Sequence, residues 1–328
     1  MIKEVENRIF KISSKSDFSA LALEIFRLQS RDNKVYSEYL SHLGIEPDKI
    51  ESINDIPFLP VEAFKYNRVI TGTFDPEVVY RSSGTTGQAR SSHHLNNTNL
   101  YRQSILNGFR SFYGDPSDYH ILALLPSYIE RGDSSLVYMV NWLMEESGSG
   151  DGGFFLDNYK DLISRISALK GGDRRLLLIG VSFALLELAE RFSPDLSGVI
   201  VMETGGMKSR GREITRNELH TTLTSSFNVD KIDSEYGMTE LLSQAYSGGD
   251  GIFTSPPWLK ILIRDPLDPF GRQPFGRGGG INIIDLANIY SCSFIETSDL
   301  GTAYDGGSFE VSGRFDSSDI RGCNMLAE

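Results

Sequence analysis

Leu176-Leu177-Leu178-Ile179-Gly180-Val181-Ser182-Phe183-Ala184-Leu185-Leu186 is the longest uncharged apolar stretch of the chain. It has about half the ~20 residues that a membrane-spanning helix requires, so it belongs to a folded core. Leu176 to Ile179 reads as a strand, and residues 182–192 follow with helical length and periodicity. The same alternation recurs on both sides. Val78 to Tyr80, Ile121 to Leu125 and Val199 to Met202 are further strand candidates, while 95–112, 133–146 and 159–169 read as helices. Strands alternating with helices predict an α/β fold built on a mostly parallel, covered sheet.

Towards the N-terminus the texture is helical. Phe18, Leu21, Ile25 and Leu28 repeat at helical spacing behind Ser16, the expected N-cap, and Gly44 ends a short helix through Tyr36 to His42. In Asp55-Ile56-Pro57-Phe58-Leu59-Pro60-Val61-Glu62-Ala63-Phe64 two prolines rule out a continuous helix and predict an extended hinge or strap. Towards the C-terminus, Pro/Gly punctuation around Ile252-Phe253, Leu259 to Ile263, Ile281 to Ile284 and Phe294-Ile295 predicts a β-rich end. The expected organisation is a helical segment over 1–70 packed on the main domain, an α/β core over 71–250, and a β-rich part with a short tail over 251–328.

The 328 residues are 40% hydrophobic and 23% charged, an ordinary globular composition that excludes disordered and fibrous classes. Acids outnumber bases 44 to 32, and the net charge of -12 disfavours nucleic acid as a partner. Met1-Ile2-Lys3-Glu4-Val5-Glu6 lacks a signal peptide's apolar core, so a cytoplasmic protein without a membrane span is expected. Cys292 and Cys323 are too few for a disulfide scaffold or a zinc cluster and are expected as free thiols.

Tyr80-Arg81-Ser82-Ser83-Gly84-Thr85-Thr86-Gly87-Gln88 follows a strand candidate and is built like a phosphate cradle. Two glycines permit tight turns, consecutive N–H groups can converge on an anion, and Ser82, Ser83, Thr85 and Thr86 offer hydroxyl donors. The chain has no Gly-Lys pair, so this is not a Walker A loop. Gly148-Ser149-Gly150-Asp151-Gly152-Gly153 has dinucleotide-binding spacing but follows a helix instead of a strand, and reads as a structural loop. Val201-Met202-Glu203-Thr204-Gly205-Gly206-Met207-Lys208 sets a glycine pair at a strand end, where backbone can pack on a flat base. Ser234-Glu235-Tyr236-Gly237-Met238-Thr239-Glu240 offers a flat ring, a hydroxyl and a carboxylate. A carboxylate beside phosphate is repulsive unless a metal lies between them, which makes Glu240 a candidate magnesium ligand. Thr297-Ser298-Asp299-Leu300-Gly301 and Gly313-Arg314-Phe315-Asp316 supply an acid able to accept ribose hydroxyls and an arginine able to meet phosphate, or else an Asp-turn and a surface ion pair.

In order and identity these motifs resemble those of the adenylate-forming acyl-ligase superfamily. Ser82 to Gly87 is similar to its phosphate loop, Tyr236 to Glu240 to its aromatic-Gly-x-Thr-Glu motif, Thr297 to Gly301 to its Thr-Gly-Asp motif, and Gly313-Arg314 to its hinge-proximal arginine motif. Within it, Ile56 to Val61, Arg81 to Gln88, Glu203 to Lys208 and Ser318-Asp319-Ile320-Arg321-Gly322-Cys323 resemble the LuxE-type acyl-protein synthetases, the long-chain fatty acid–protein ligases.

The resemblance implies the fold of the superfamily's large N-terminal domain without the full C-terminal lid, whose catalytic lysine has no counterpart here. It implies that Ser83, Thr85 and Thr86 hold ATP phosphates, with Ser82, Gly84 and Gly87 completing the loop. Glu203, Gly205 and Gly206 would flank the adenine, Tyr236 and Gly237 lie beside it, Thr239 contact the α-phosphate, and Glu240 hold Mg²⁺. Asp299 would bind ribose, and Arg314 ribose or phosphate. The lysine usual after the loop is replaced by Ala89-Arg90. The implied reaction converts a fatty or other carboxylic acid to its acyl adenylate, then to a thioester on a cysteine, with later delivery to a partner such as an acyl-reductase. Cys323, near the chain end, is the candidate acceptor, since Tyr290-Ser291-Cys292-Ser293-Phe294 reads as a strand that would hold Cys292 rigidly. His93, with His94 beside it, is a candidate for proton transfer or substrate orientation, although adjacent histidines commonly lie on the surface. A CoA-dependent ligase of the phenylacetate type, completed by an oligomeric partner, and a nucleotide-binding subunit without turnover remain alternatives; a homo-oligomer is compatible with each.

Overall fold

Every residue of Leu176–Val181 is buried, which is why this stretch can be apolar without alternation: it is an inner strand covered on both faces. The computed structural model describes residues 2–83, 89–126, 132–205 and 214–315. In chain order the first elements are α1 (Ile2–Ile9), α2 (Lys15–Asp32), α3 (Lys34–His42), β1 (Leu59–Pro60) and α4 (Ala63–Tyr66). There follow β2 (Val78–Arg81), β3 (Ser92–Leu95), α5 (Asn99–Tyr113), β4 (Tyr119–Leu124), α6 (Ser135–Ser147), β5 (Gly153–Phe155), α7 (Tyr159–Leu169), β6 (Arg175–Val181), α8 (Ser182–Phe192), β7 (Val199–Thr204), α9 (Arg216–Phe227), β8 (Asp233–Tyr236), β9 (Ala245–Ser247) and β10 (Ile252–Thr254). The last are β11 (Leu259–Arg264), β12 (Gly278–Asp285), β13 (Phe294–Ala303) and β14 (Ser308–Arg314). Residues 74–256 form one compact unit, and residues 1–73 with 257–328 form another.

In the unit of residues 74–256 the strands lie in the order β10-β9-β8-β7-β6-β4-β5. Neighbours from β8 through β5 are parallel, and β9 and β10 add antiparallel pairs. Parallel neighbours require long crossovers, and α6 to α9 provide them. Helix α8 approaches β6 so closely that a Cβ on Gly180 would sit 2.7 Å from Leu185. β2 and β3 form a separate antiparallel hairpin. Gly148 is the left-handed C-cap of α6, so the glycine-rich stretch after it is a helix end, as its context implied.

In the other unit, β11-β12-β13-β14 is an antiparallel meander. β1 runs parallel to β13, pairing Leu59 with Ile295 and Pro60 with Glu296, and the Val61 N–H donates to the Glu296 carbonyl at 2.9 Å. The strap is therefore extended where the prolines demand it, and a single turn, α4, follows. Helix α2 buries Phe18, Leu21, Ile25 and Leu28 as their spacing predicts. Its N-cap is Ser14, whose hydroxyl accepts from the Asp17 N–H at 3.0 Å; Ser16 is already the second residue of the helix. Gly44, at φ 67°, ends α3 with the Ile45 N–H returning to the Leu40 carbonyl. The stretch 290–293 is a turn and not a strand; β13 begins only at Phe294. Buried amides impose that turn. The Gln29 side chain donates to the carbonyls of Asn288, Ile289 and Ser291 and accepts from the Ser293 N–H, while Asn33 donates to the Ser291 carbonyl.

Candidate functional site

The hydroxyl-rich loop is the connection of the β2–β3 hairpin. Val78, Val79, Tyr80 and Arg81 face Leu95, His94, His93 and Ser92, and the ladder continues one pair further. The Ser82 N–H donates to the Ser91 carbonyl at 3.1 Å, and the Ser91 N–H donates to Ser82 Oγ at 3.0 Å. Ser83 is exposed at the end of the described arm. Arg90, in the place of the usual lysine, turns back on the hairpin: its Nε donates to the Ser82 carbonyl, and Nη2 lies 3.2 Å from Asp133 Oδ1. Gly84, Thr85, Thr86 and Gly87 lie outside the described residues, as do Gly206 and Cys323.

Strands β6, β7 and β8 are parallel, so their carboxyl ends share one edge of the sheet, the edge where open α/β sheets bind ligands. That edge carries Gly205 and Gly237. Gly205 adopts φ 82°, a conformation that penalises any side chain. At Gly237 a Cβ would lie 2.5 Å from Glu235 Oε1, so the carboxyl folded back there also requires glycine. Between them Glu203 is buried at 3% exposure. Ser182 Oγ, at the start of α8, donates to Glu203 Oε2 at 2.9 Å and lies 2.9 Å from the Gly205 carbonyl. Arg216 Nε lies 3.3 Å and His220 Nε2 3.8 Å from Glu203 Oε1. Burial pushes the Glu203 carboxyl up, yet His220, Arg216 and Ser182 together hold it below the usual range. Glu203 thus braces the Gly205 turn from inside the fold.

Glu235, paired in register with Thr204, is the opposite case. The Thr204 hydroxyl donates to Glu235 Oε2, but burial, with Glu203 nearby, pushes its carboxyl from 4.5 up to about 7. Tyr236 is buried, its ring edge-on to Phe253 at 5.9 Å between centroids, and its hydroxyl contacts Met238 Sδ. Two residues on, the chain turns, and the Thr239 carbonyl receives His93 Nδ1 at 2.8 Å. His93 is 1% exposed, not a surface residue. One bond therefore ties the return arm of the hairpin to the Thr239-Glu240 turn, where Glu240 is 5% exposed.

In the other unit, Asp299 on β13 faces Arg314 on β14, and Arg314 Nε lies 2.6 Å from Asp299 Oδ1. Thr297 Oγ1 donates to the Ile281 carbonyl and accepts from the Asp299 N–H at 3.0 Å, fixing the acid from beneath. The segment 297–301 is strand, not an Asp-turn. Ser182, Arg216, His220, Asp133 and Glu235 carried no signal in the sequence, because each acts through a partner distant along the chain.

Compared with known proteins, the chain matches no family model. It is 23% identical over 335 residues to the long-chain-fatty-acid–luciferin-component ligase of Aliivibrio fischeri, spanning 93% of this chain and 86% of that protein. With the ligase of the same name from Vibrio harveyi the identity is 22%, over 94% of this chain and 86% of that one. Among solved structures, an open conformation of 2-hydroxyisobutyryl-CoA ligase in complex with 2-HIB-AMP and CoA superposes with a TM-score of 0.68 at 10% identity, covering 93% of this chain and 72% of that one. ATP-bound MatB from Rhodopseudomonas palustris gives 0.55 at 20% identity, over 74% and 49%. The fold is that of the adenylate-forming ligases.

Magnesium needs only one or two carboxylates when phosphate oxygens and waters complete its shell, and the buried Glu240 is the one expected from the sequence. Among the described residues no group of three or more His, Cys, Asp or Glu converges. Nor is any described helix long and apolar enough to cross a membrane.

Proposed function

We propose that this protein activates a long-chain fatty acid with ATP and transfers the acyl group to a protein thiol. What supports this most is the match, along 93% of the chain, to a protein named long-chain-fatty-acid–luciferin-component ligase. The carboxylate oxygen attacks the α-phosphorus of ATP, the bond to the leaving pyrophosphate breaks, and an acyl adenylate remains. The chain's work in this step is electrostatic. Hydroxyls of Ser82, Ser83, Thr85 and Thr86, with backbone N–H groups at Gly84 and Gly87, hold the phosphates, and Thr239 holds the α-phosphate. Gly205, Gly206, Tyr236 and Gly237 shape the base site, Glu203 braces it, and Asp299 with Arg314 meets the ribose. Glu240 would hold magnesium, which when bound would supply charge neutralisation on the phosphate oxygens. His93 orients Thr239 through its carbonyl.

In the second step the Cys323 thiolate attacks the acyl carbonyl, AMP leaves, and a thioester forms, from which an acyl-reductase would take the acyl group. Cys292 is unsuited to this role, because burial pushes its thiol to about 12 and leaves almost no thiolate at neutral pH. The proposed setting is the cytoplasm, where ATP and reduced thiols coexist.

ATP–pyrophosphate exchange across a panel of carboxylic acids tests the first step, and no exchange with any acid would exclude it. The second step predicts a hydroxylamine-sensitive acyl-protein after incubation with labelled fatty acid, ATP and Mg²⁺. Cys323→Ser should abolish the label while exchange persists. A label that appears only on added CoA would favour the CoA-ligase reading, to which the fold relative named as a CoA ligase lends support.

A further inference from the structure

We infer that Arg90 is a positioning residue, and that with Asp133 it locks the base of the phosphate-loop hairpin in place instead of reaching for phosphate itself; the inference rests on the adenylation reading above.

The guanidinium of Arg90 is committed through two of its nitrogens. Its Nε donates to the Ser82 carbonyl, and its Nη2 lies 3.3 Å from the Arg81 carbonyl and 3.2 Å from Asp133 Oδ1. Asp133 in turn holds the other arm: the Arg81 N–H donates to its backbone carbonyl at 2.9 Å, and Arg81 Nη1 lies 3.6 Å from its Oδ2. Asp133 stands just before α6, its side chain 17% exposed, so the lock anchors the hairpin to the start of a helix. A lysine cannot reproduce this geometry. One ammonium nitrogen cannot occupy the two positions that Nε and Nη2 hold in a planar guanidinium, and the Ser82 carbonyl and Asp133 are met by different nitrogens. The residue that replaces the usual loop lysine therefore acts on Ser82, the hydroxyl residue whose Oγ closes the hairpin against Ser91.

The lock and a mobile phosphate-binding arginine predict opposite signs at Asp133. If Arg90 holds the loop through Asp133, Asp133→Asn loosens the loop and raises the KM for ATP. If Arg90 must leave Asp133 to reach phosphate, the same substitution releases it and lowers that KM. The test is ATP–pyrophosphate exchange on purified full-length wild type, Arg90→Ala, Arg90→Lys, Asp133→Asn and the Arg90→Ala/Asp133→Asn pair, with thermal melting of each. For Arg90→Ala the expected result is a KM for ATP raised roughly tenfold, as for loss of one charge-assisted hydrogen bond, with the KM for the carboxylic acid and kcat moved far less. Arg90→Lys should behave like Arg90→Ala, which keeps the test available if the alanine variant does not fold. The double variant should be no worse than the worse single one, and guanidinium ion should partly restore Arg90→Ala. A lower KM in Asp133→Asn, or a wild-type KM in Arg90→Lys, overturns the inference. Absence of exchange in the wild type would instead defeat the adenylation reading itself.

Discussion

His93 Nδ1 lies 2.8 Å from the Thr239 carbonyl oxygen, across 146 residues of sequence. A carbonyl only accepts, so the ring carries its proton on Nδ1, and the imidazole is set as a strut between the hairpin and the Thr239-Glu240 turn. His93→Phe preserves ring volume and removes the donor. Exchange should slow about tenfold, the cost of one lost buried hydrogen bond and a displaced turn. His93→Asn, which restores an N–H donor, should recover part of the loss. Equal activity in His93→Phe and wild type would remove His93 from the site.

Glu240 is tested by titration with metal. Glu240→Gln keeps size and removes charge, so the magnesium concentration for half-maximal exchange should rise severalfold while nucleotide binding measured without metal stays near wild type. An unshifted magnesium curve would make Glu240 a structural acid.

Glu235 gives a pH signature in stability. Its carboxyl is raised from 4.5 to about 7 in the fold, so the folded state holds a proton that the unfolded chain has released between those values. The contribution is full below about pH 4.5 and is lost as pH rises through about 7. Denaturant unfolding at stepped pH should show this decline, and Glu235→Gln, permanently neutral and still able to accept from Thr204, should flatten it. A slope unchanged by the substitution would assign it to other groups.

Asp299→Asn separates binding from stability. The Arg314 side chain is 46% exposed, so losing the ion pair should cost about 1 kcal/mol or less in unfolding free energy. If Asp299 accepts ribose hydroxyls, the KM for ATP should nevertheless rise severalfold. A stability loss with an unchanged KM would leave the pair a cross-strand brace alone.

The strands were legible because buried parallel strands are written as uninterrupted apolar runs: Leu176 to Ile179 and Val199 to Met202 fall within β6 and β7. Helix ends were less so. Ser14 and Ser16 are chemically equivalent as caps, and only the bond from the Asp17 N–H distinguishes them. The turn at Cys292 was misread as strand because its cause, the buried Gln29 side chain, lies far along the chain. The motifs at Tyr236 to Glu240 and at Asp299 and Arg314 were legible as residue types. Their braces were not: Asp133 under the hairpin and Ser182 under Gly205 are ordinary polar residues until the fold brings them to their acceptors.

Cys292 has a consequence for measurement. The chain has two cysteines, and the one inside the β-rich unit is sealed from solvent with its sulfur turned to the Phe294 carbonyl. A colorimetric thiol count on native protein at neutral pH should therefore miss Cys292, whose equivalent should emerge only as denaturant opens the fold. The release of that hidden sulfur thereby serves as an internal clock for unfolding, built into the wild-type chain without engineering.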